Sequence, residues 1–88
     1  MTTIYRFDVP ILDDFTLGLP EFAKVLCVGE RGGTGHMWVM LDPEQKKVTR
    51  KFRVIGTGHP IPDAPDLSYI GTFFMANGRL VWHVFESA

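Results

Sequence analysis

Two apolar, aromatic-rich runs, Tyr69 to Met75 and Leu80 to Phe85, flank the dipeptide Asn77-Gly78. A two-residue type I′ turn needs positive φ at both central positions, and Asn-Gly meets that need at the least steric cost. The C-terminal end therefore reads as a β-hairpin, and the turn sets its register. Ala76 faces Arg79, followed outward by Met75/Leu80, Phe74/Val81, Phe73/Trp82, Thr72/His83 and Ile70/Phe85. Side chains alternate along a strand, so Phe73, Met75, Leu80 and Trp82 share one face, while Ile70, Phe74, Val81 and Phe85 share the other. Both faces are apolar. Either the monomer covers both, or one meets a second chain. Phe73, Trp82, Phe74 and Phe85 are accordingly the residues expected to carry self-association into a homodimer.

The remaining segments fit the same class. Turn residues recur at short intervals, the spacing of a sandwich or barrel rather than of strand-helix-strand units. Strands are expected over Thr3 to Val9, Phe15 to Leu19, Ala23 to Val28, His36 to Leu41 and Lys47 to Ile55, the third central because it is almost entirely apolar. Glu21 to Lys24 offers a single helical turn as an alternative. Asp42-Pro43-Glu44-Gln45 suits a type I turn and is expected to join the fourth and fifth strands into a second hairpin. Gly29 to Gly35, rich in glycine, reads as a mobile loop, and Gly56 to Asp66, with Pro60, Pro62 and Pro65, as a semi-rigid one. The expected fold is mainly β: a small antiparallel sandwich or partly open barrel of six to seven strands, ending in the Asn-Gly hairpin.

Composition bounds this to one domain spanning residues 1–88. A chain of 88 residues buries only about 60–65% of its unfolded surface, too little for a second core. Seven Phe, two Trp and two Tyr within a 45% apolar composition supply the one core. A single cysteine, Cys27, cannot close an intramolecular disulfide, which fits a reducing compartment, and its place mid-strand predicts a buried, inert thiol. No run approaches the roughly 18 apolar residues of a membrane span. Nine basic against ten acidic residues argue neither for a generic nucleic-acid binder nor for an acidic DNA mimic, so charge is read locally.

No catalytic constellation, cofactor motif or metal-ligand spacing emerges. The tetrapeptide Gly-Thr-Gly-His recurs at 33–36 and 56–59, but no helix start follows either copy, as a phosphate loop requires. The three histidines lack second ligands at a recognisable spacing. His59, with Asp63 and Asp66 in one loop, is the nearest approach to an acid/base group and sustains a small hydrolase as a third reading. On the fifth strand, Lys47, Thr49, Lys51 and Arg53 point away from Val48, Phe52 and Val54, with Arg50 an extra charge on the apolar side. Lys47, Lys51 and Arg53 are therefore the candidates for phosphate contact in a second reading as a nucleic-acid binder. A solvated face that protects an edge is the preferred explanation, since a binding patch normally comes with more positive charge than this chain has.

The segments Phe52-Arg-Val-Ile-Gly-Thr-Gly-His-Pro-Ile-Pro62, Tyr69-Ile-Gly-Thr-Phe73 and Leu80-Val-Trp-His-Val-Phe-Glu86, with Thr3-Ile-Tyr-Arg6 and Leu41-Asp-Pro43, resemble a family of small proteins of unknown function encoded by bacteriophages and prophages. The resemblance implies a protein acting in the cytoplasm of a bacterial host. By analogy with small β domains that lack an active site, it implies a non-enzymatic accessory protein that occupies a surface of a host, phage or anti-phage defence protein. Loops on a rigid scaffold are where such a contact is expected, which nominates Glu30 and Arg31 in the first loop and His59 and Ile61 in the second.

Overall fold

A computed structural model describes residues 1–62 and 64–88; Asp63 lies outside the described residues. Seven strands form: β1 Thr3–Val9, β2 Asp14–Pro20, β3 Lys24–Arg31, β4 Thr34–Leu41, β5 Lys47–Gly56, β6 Leu67–Met75 and β7 Leu80–Ser87, with one 3-10 turn at Ala64–Asp66. They build two antiparallel sheets, a three-stranded one ordered β1-β4-β3 and a four-stranded one ordered β2-β5-β7-β6. The sheets pack face to face without closing into a barrel, and β3 lies alongside β6. The expectation of a mainly β, antiparallel sandwich holds.

The core fills the space between the sheets. Tyr5, Phe7 and Val9 of β1 share the inward face with their opposites Val39, Met37 and Gly35 of β4. Phe52, Val54, Phe73 and Val84 come from the other layer, with Phe15 stacked on Phe52 at a centroid distance of 5.2 Å. Full burial of each such side chain contributes about 1.5–3 kcal/mol, which is how so small a domain offsets its chain entropy. Gly35 is a close-packing position: a Cβ there would stand 2.6 Å from Cζ of Phe73.

Several local expectations are corrected. The segment from Gly29 to Gly35 is no mobile loop but a β3–β4 hairpin, in which Gly29, Glu30 and Arg31 belong to β3, and Thr34 and Gly35 to β4. Its turn is Gly32-Gly33, both at positive φ (62° and 84°), the type I′ requirement that glycine meets without a Cβ penalty. The type I turn after Asp42 does form, with the Gln45 amide donating to the Asp42 carbonyl at 3.1 Å. The Glu44 amide also donates to the Asp42 carboxylate at 3.0 Å, and that bond holds the carboxyl below the ordinary aspartate range. The turn, however, carries the chain from one sheet to the other, so β4 and β5 make no hairpin. β3 is an edge strand rather than a central one, and Cys27 on it is exposed rather than buried. Residues 20–23 make a turn closed by the Ala23 amide on the Pro20 carbonyl at 3.1 Å, not a helical one.

The terminal hairpin keeps its expected register from Met75/Leu80 to Thr72/His83. The loop is longer than the expected two residues: the turn spans residues 76–79, so Ala76 and Arg79 lie within it rather than pairing across the strands, and Ala76 joins Asn77 and Gly78 at positive φ. Beyond Gly71 a bulge at Ile70 shifts the pairing, so Tyr69 rather than Ile70 stands opposite Phe85. The extra residue turns Tyr69 onto the outer face beside Phe85.

β5 and β6 both run antiparallel to β7, so they run parallel to each other. The connection must return the chain from Gly56, opposite Trp82, to Leu67, opposite Ser87, about 17 Å along the sheet. The proline-rich connection, about ten residues long, has ample reach for that distance.

Candidate functional site

Three turns emerge at one end of the sandwich, and the strand pairings show why. Gly35, two residues past the Gly32-Gly33 turn, lies against the Phe73 ring. Phe73 stands opposite Trp82, and Trp82 opposite Gly56. The β3–β4 turn, the 56–59 turn after β5 and the 76–79 turn therefore share an end. Each is fixed by its own hydrogen bonds. The Glu30 carboxylate accepts from the Gly33 amide at 2.7 Å. The Thr57 amide donates to the Val81 carbonyl at 3.2 Å and the His59 amide to the Gly56 carbonyl at 3.1 Å. Arg79 Nε donates to the Ala76 carbonyl at 3.2 Å.

The loop residues nominated from the sequence fall at or next to this end. Arg31 is exposed at the hairpin tip, opposite Thr34. Glu30, also nominated, spends its carboxylate on the turn. His59 is exposed, and its ring edge approaches Gly56. Ile61 is 44% exposed further along the return segment. Arg79, which the sequence reading passed over, is exposed at the same end as Arg31 and His59.

A cavity of about 380 Å³ opens beneath the return segment, lined by Asp13, Asp14, Arg53, His59, Pro60 and Pro62, with Val54 and Ile55 behind them. Arg53 fastens one wall: Nε donates to Asp14 Oδ1 at 2.9 Å and Nη1 to the Pro62 carbonyl at 3.0 Å. Of the acid/base group suggested around His59, Asp66 lies at the far end of the segment, where its carbonyl accepts from the Ala88 amide at 3.0 Å. Asp63 falls outside the described residues.

The outer face of the four-stranded sheet carries a hydrogen-bond chain that the sequence reading did not foresee. Tyr69 Oη lies 2.6 Å from Thr72 Oγ1, Thr72 Oγ1 lies 2.9 Å from His83 Nδ1, and His83 Nε2 lies 2.8 Å from Thr57 Oγ1. Each hydroxyl can donate to the next group while accepting from the previous one, so the chain satisfies four side chains in series. Both ring nitrogens of His83 are engaged. No carboxylate joins the chain among the described residues. The Thr72/His83 pairing was legible from the hairpin register; Tyr69 and Thr57 join only through the bulge and the 56–59 turn.

The four residues proposed for self-association divide between the faces. Phe73 is buried against the other sheet and Trp82 is half-buried beside it, so Phe73 offers a second chain nothing. The Trp82 indole nitrogen has no acceptor among the described residues. Phe74, opposite Val81, is 58% exposed on the outer face, and Phe85 is half-buried under the Tyr69 ring at 5.6 Å, edge to face.

The basic side chains of β5 lie outward as expected. Arg53 is neutralised by Asp14. Lys47 and Lys51 remain exposed, about 13 Å apart along the strand. Two such charges make a sparse track for phosphates.

No cluster of three or more potential metal ligands forms, and no helix is long and apolar enough to cross a membrane, among the described residues. No curated protein and no solved structure matches this chain. A family model does, over residues 1–88, and the chain belongs to that family, a domain of unknown function designated DUF7352.

Proposed function

We propose that the protein is a non-enzymatic binding module that occupies a surface of another protein through the turn end of its sandwich. The observation that carries this reading is the convergence of Arg31, His59 and Arg79 on exposed turns at one end of the fold. The turns are held by backbone hydrogen bonds, and the second runs into a proline-rich segment, so little conformational freedom is lost on contact. The basic side chains of Arg31 and Arg79, set at the same end as the carboxylates of Asp13, Asp14 and the turn-bound Glu30, suit a partner surface of mixed charge. The resemblance to phage and prophage proteins supports a partner in a bacterial cytoplasm, a host or anti-phage defence protein whose activity this chain inhibits.

Affinity capture from bacterial cells, run with the wild type and with a variant combining Arg31→Glu and His59→Ala, tests the reading. A stoichiometric partner retained by the wild type and bound about tenfold or more weakly by the variant, at unchanged thermal midpoint, is the expected result. A partner that both proteins retain equally overturns the assignment of the surface. The absence of any stoichiometric partner overturns the reading itself.

A further inference from the structure

The four sheet edges of this fold differ in one respect that bears on assembly. β2 has Gly18 within it and ends on Pro20, β3 carries a bulge at Leu26, and β6 carries one at Ile70 while lying alongside β3. Glycine, proline and bulges are the devices that stop an edge from pairing with another chain. β1 has none of them. Thr3–Val9 contains no proline, glycine or lysine, and it pairs with β4 in an unbroken ladder from Thr3↔Leu41 to Val9↔Gly35. Among the described residues, no strand neighbours its other edge. Ile4 and Tyr5 on it are 55% and 47% exposed.

We propose that β1 is the edge through which two copies of this chain pair, antiparallel, with Phe7 opposite Phe7 of the second copy. The surface is separate from the turn end, so the inference does not depend on the partner reading above. The charge pattern selects the register. Ile4, Arg6 and Asp8 share the outer face, and Tyr5, Phe7 and Val9 the inner one. A two-fold axis normal to the sheet keeps the faces matched, so the pairing must centre on a residue. Centring on Arg6 sets arginine against arginine, which is destabilising. Centring on Tyr5 leaves Arg6 opposite Ile4 and its charge without a cross-strand acid. Centring on Phe7 places Arg6 opposite Asp8 of the second copy twice over, pairs the two Phe7 rings and sets each Tyr5 opposite a Val9.

Asp8 can take part without losing its own contact. One of its carboxylate oxygens lies 3.2 Å from His36 Nδ1, and the side chain is 79% exposed. The product is a six-stranded sheet running across both molecules in the order β3-β4-β1-β1-β4-β3. Edge pairing over five residues buries less than a stable dimer requires, so the association is weak and reversible.

Sedimentation velocity over a concentration series tests this. The wild type is expected to show a reversible monomer–dimer equilibrium. Arg6→Asp and Asp8→Arg, each alone, face like charges across the axis and should weaken association about tenfold or more. An equimolar mixture of the two variants should recover the dimer, because every pair then joins Asp to Arg. Should Asp8→Arg disturb the His36 contact and the fold, Phe7→Cys in a Cys27→Ser background gives an independent readout. It should cross-link under mild oxidation much faster than Tyr5→Cys in the same background, whose two copies lie about 13 Å apart in this register. A wild type that stays monomeric to millimolar concentration overturns the proposal. So does a dimer that charge reversal leaves intact, a mixture that recovers nothing, or cross-linking that favours Tyr5→Cys.

Discussion

Arg50 and Arg53 stand three residues apart on β5, and each holds a carboxylate, yet strand alternation sends them to opposite sides of the sheet. Arg50 turns inward. Its guanidinium grips Glu86 in a bidentate pair at 2.6 and 2.7 Å and donates a third bond to the Ala23 carbonyl at 2.6 Å. The Arg50 and Glu86 side chains are only 22% and 25% exposed. The hydrogen bond to Glu86 raises the Arg50 pKa against the opposing effect of burial, so the guanidinium stays charged. Arg53 turns outward to Asp14, whose side chain is 68% exposed. The same chemistry thus serves two ends: inside, the pair satisfies charges that water reaches only in part; outside, it pins a loop while water screens the Asp14 carboxylate, the Arg53 side chain being 19% exposed.

The sharpest way to break this comparison is Arg50→Ala. It leaves Glu86 and the Ala23 carbonyl without their partner in a poorly hydrated place. Removing one member of a fully buried pair costs about 3–5 kcal/mol, and partial exposure here brings the expected loss to about 2–3 kcal/mol. Denaturant unfolding measures it, with Arg50→Met combined with Glu86→Leu expected to recover most of the loss. A cost near that of a surface pair would show that the inner pair is solvated after all.

A smaller effect is expected on the outer face, where Thr72→Val removes the hydroxyl linking Tyr69 to His83. Both groups lie close enough to water to find replacements, so the cost should be about 1 kcal/mol by the same measurement. A loss as large as that at Arg50 would mean the hydroxyl chain is as much a part of the core as the inner ion pair. Asp14→Ala should do least, at most about 0.5 kcal/mol, with the difference from wild type fading as salt is added. A salt-independent loss would place the outer pair in the same class as the inner one.

The two hairpins show where the chain could be read and where it misled. At residues 76–79 the Asn77-Gly78 signal stood between long apolar runs, and alternation carried the register five pairs outward. It failed at Ile70, because a bulge depends on what the neighbouring layer demands and not on local propensity. At Gly32-Gly33 an equally strong turn signal was hidden among other glycines, and counting glycines as flexibility concealed a type I′ turn. The Asp42 turn was correct in type but not in destination. Turn chemistry specifies a reversal of direction, whereas the sheet that receives the next strand depends on packing between layers. The candidate surface was legible in the same uneven way. Arg31 and His59 stood out as exposed loop residues, while Arg79 went unnoticed in a turn read only for its geometry.

The sequence by itself determined the class of this protein. Period-two alternation, turn residues at short intervals and enough aromatic side chains for one core admit only an antiparallel β domain, because each follows from local backbone sterics and the need to bury apolar surface. Strand order, the division of seven strands between two sheets, the gathering of three turns at one end and the open edge of β1 were decided only by the tertiary structure. These are non-local choices. Many pairings satisfy the same local patterns, and only the one that packs Phe73 against Gly35 and closes the half-buried Arg50–Glu86 pair satisfies them all at once.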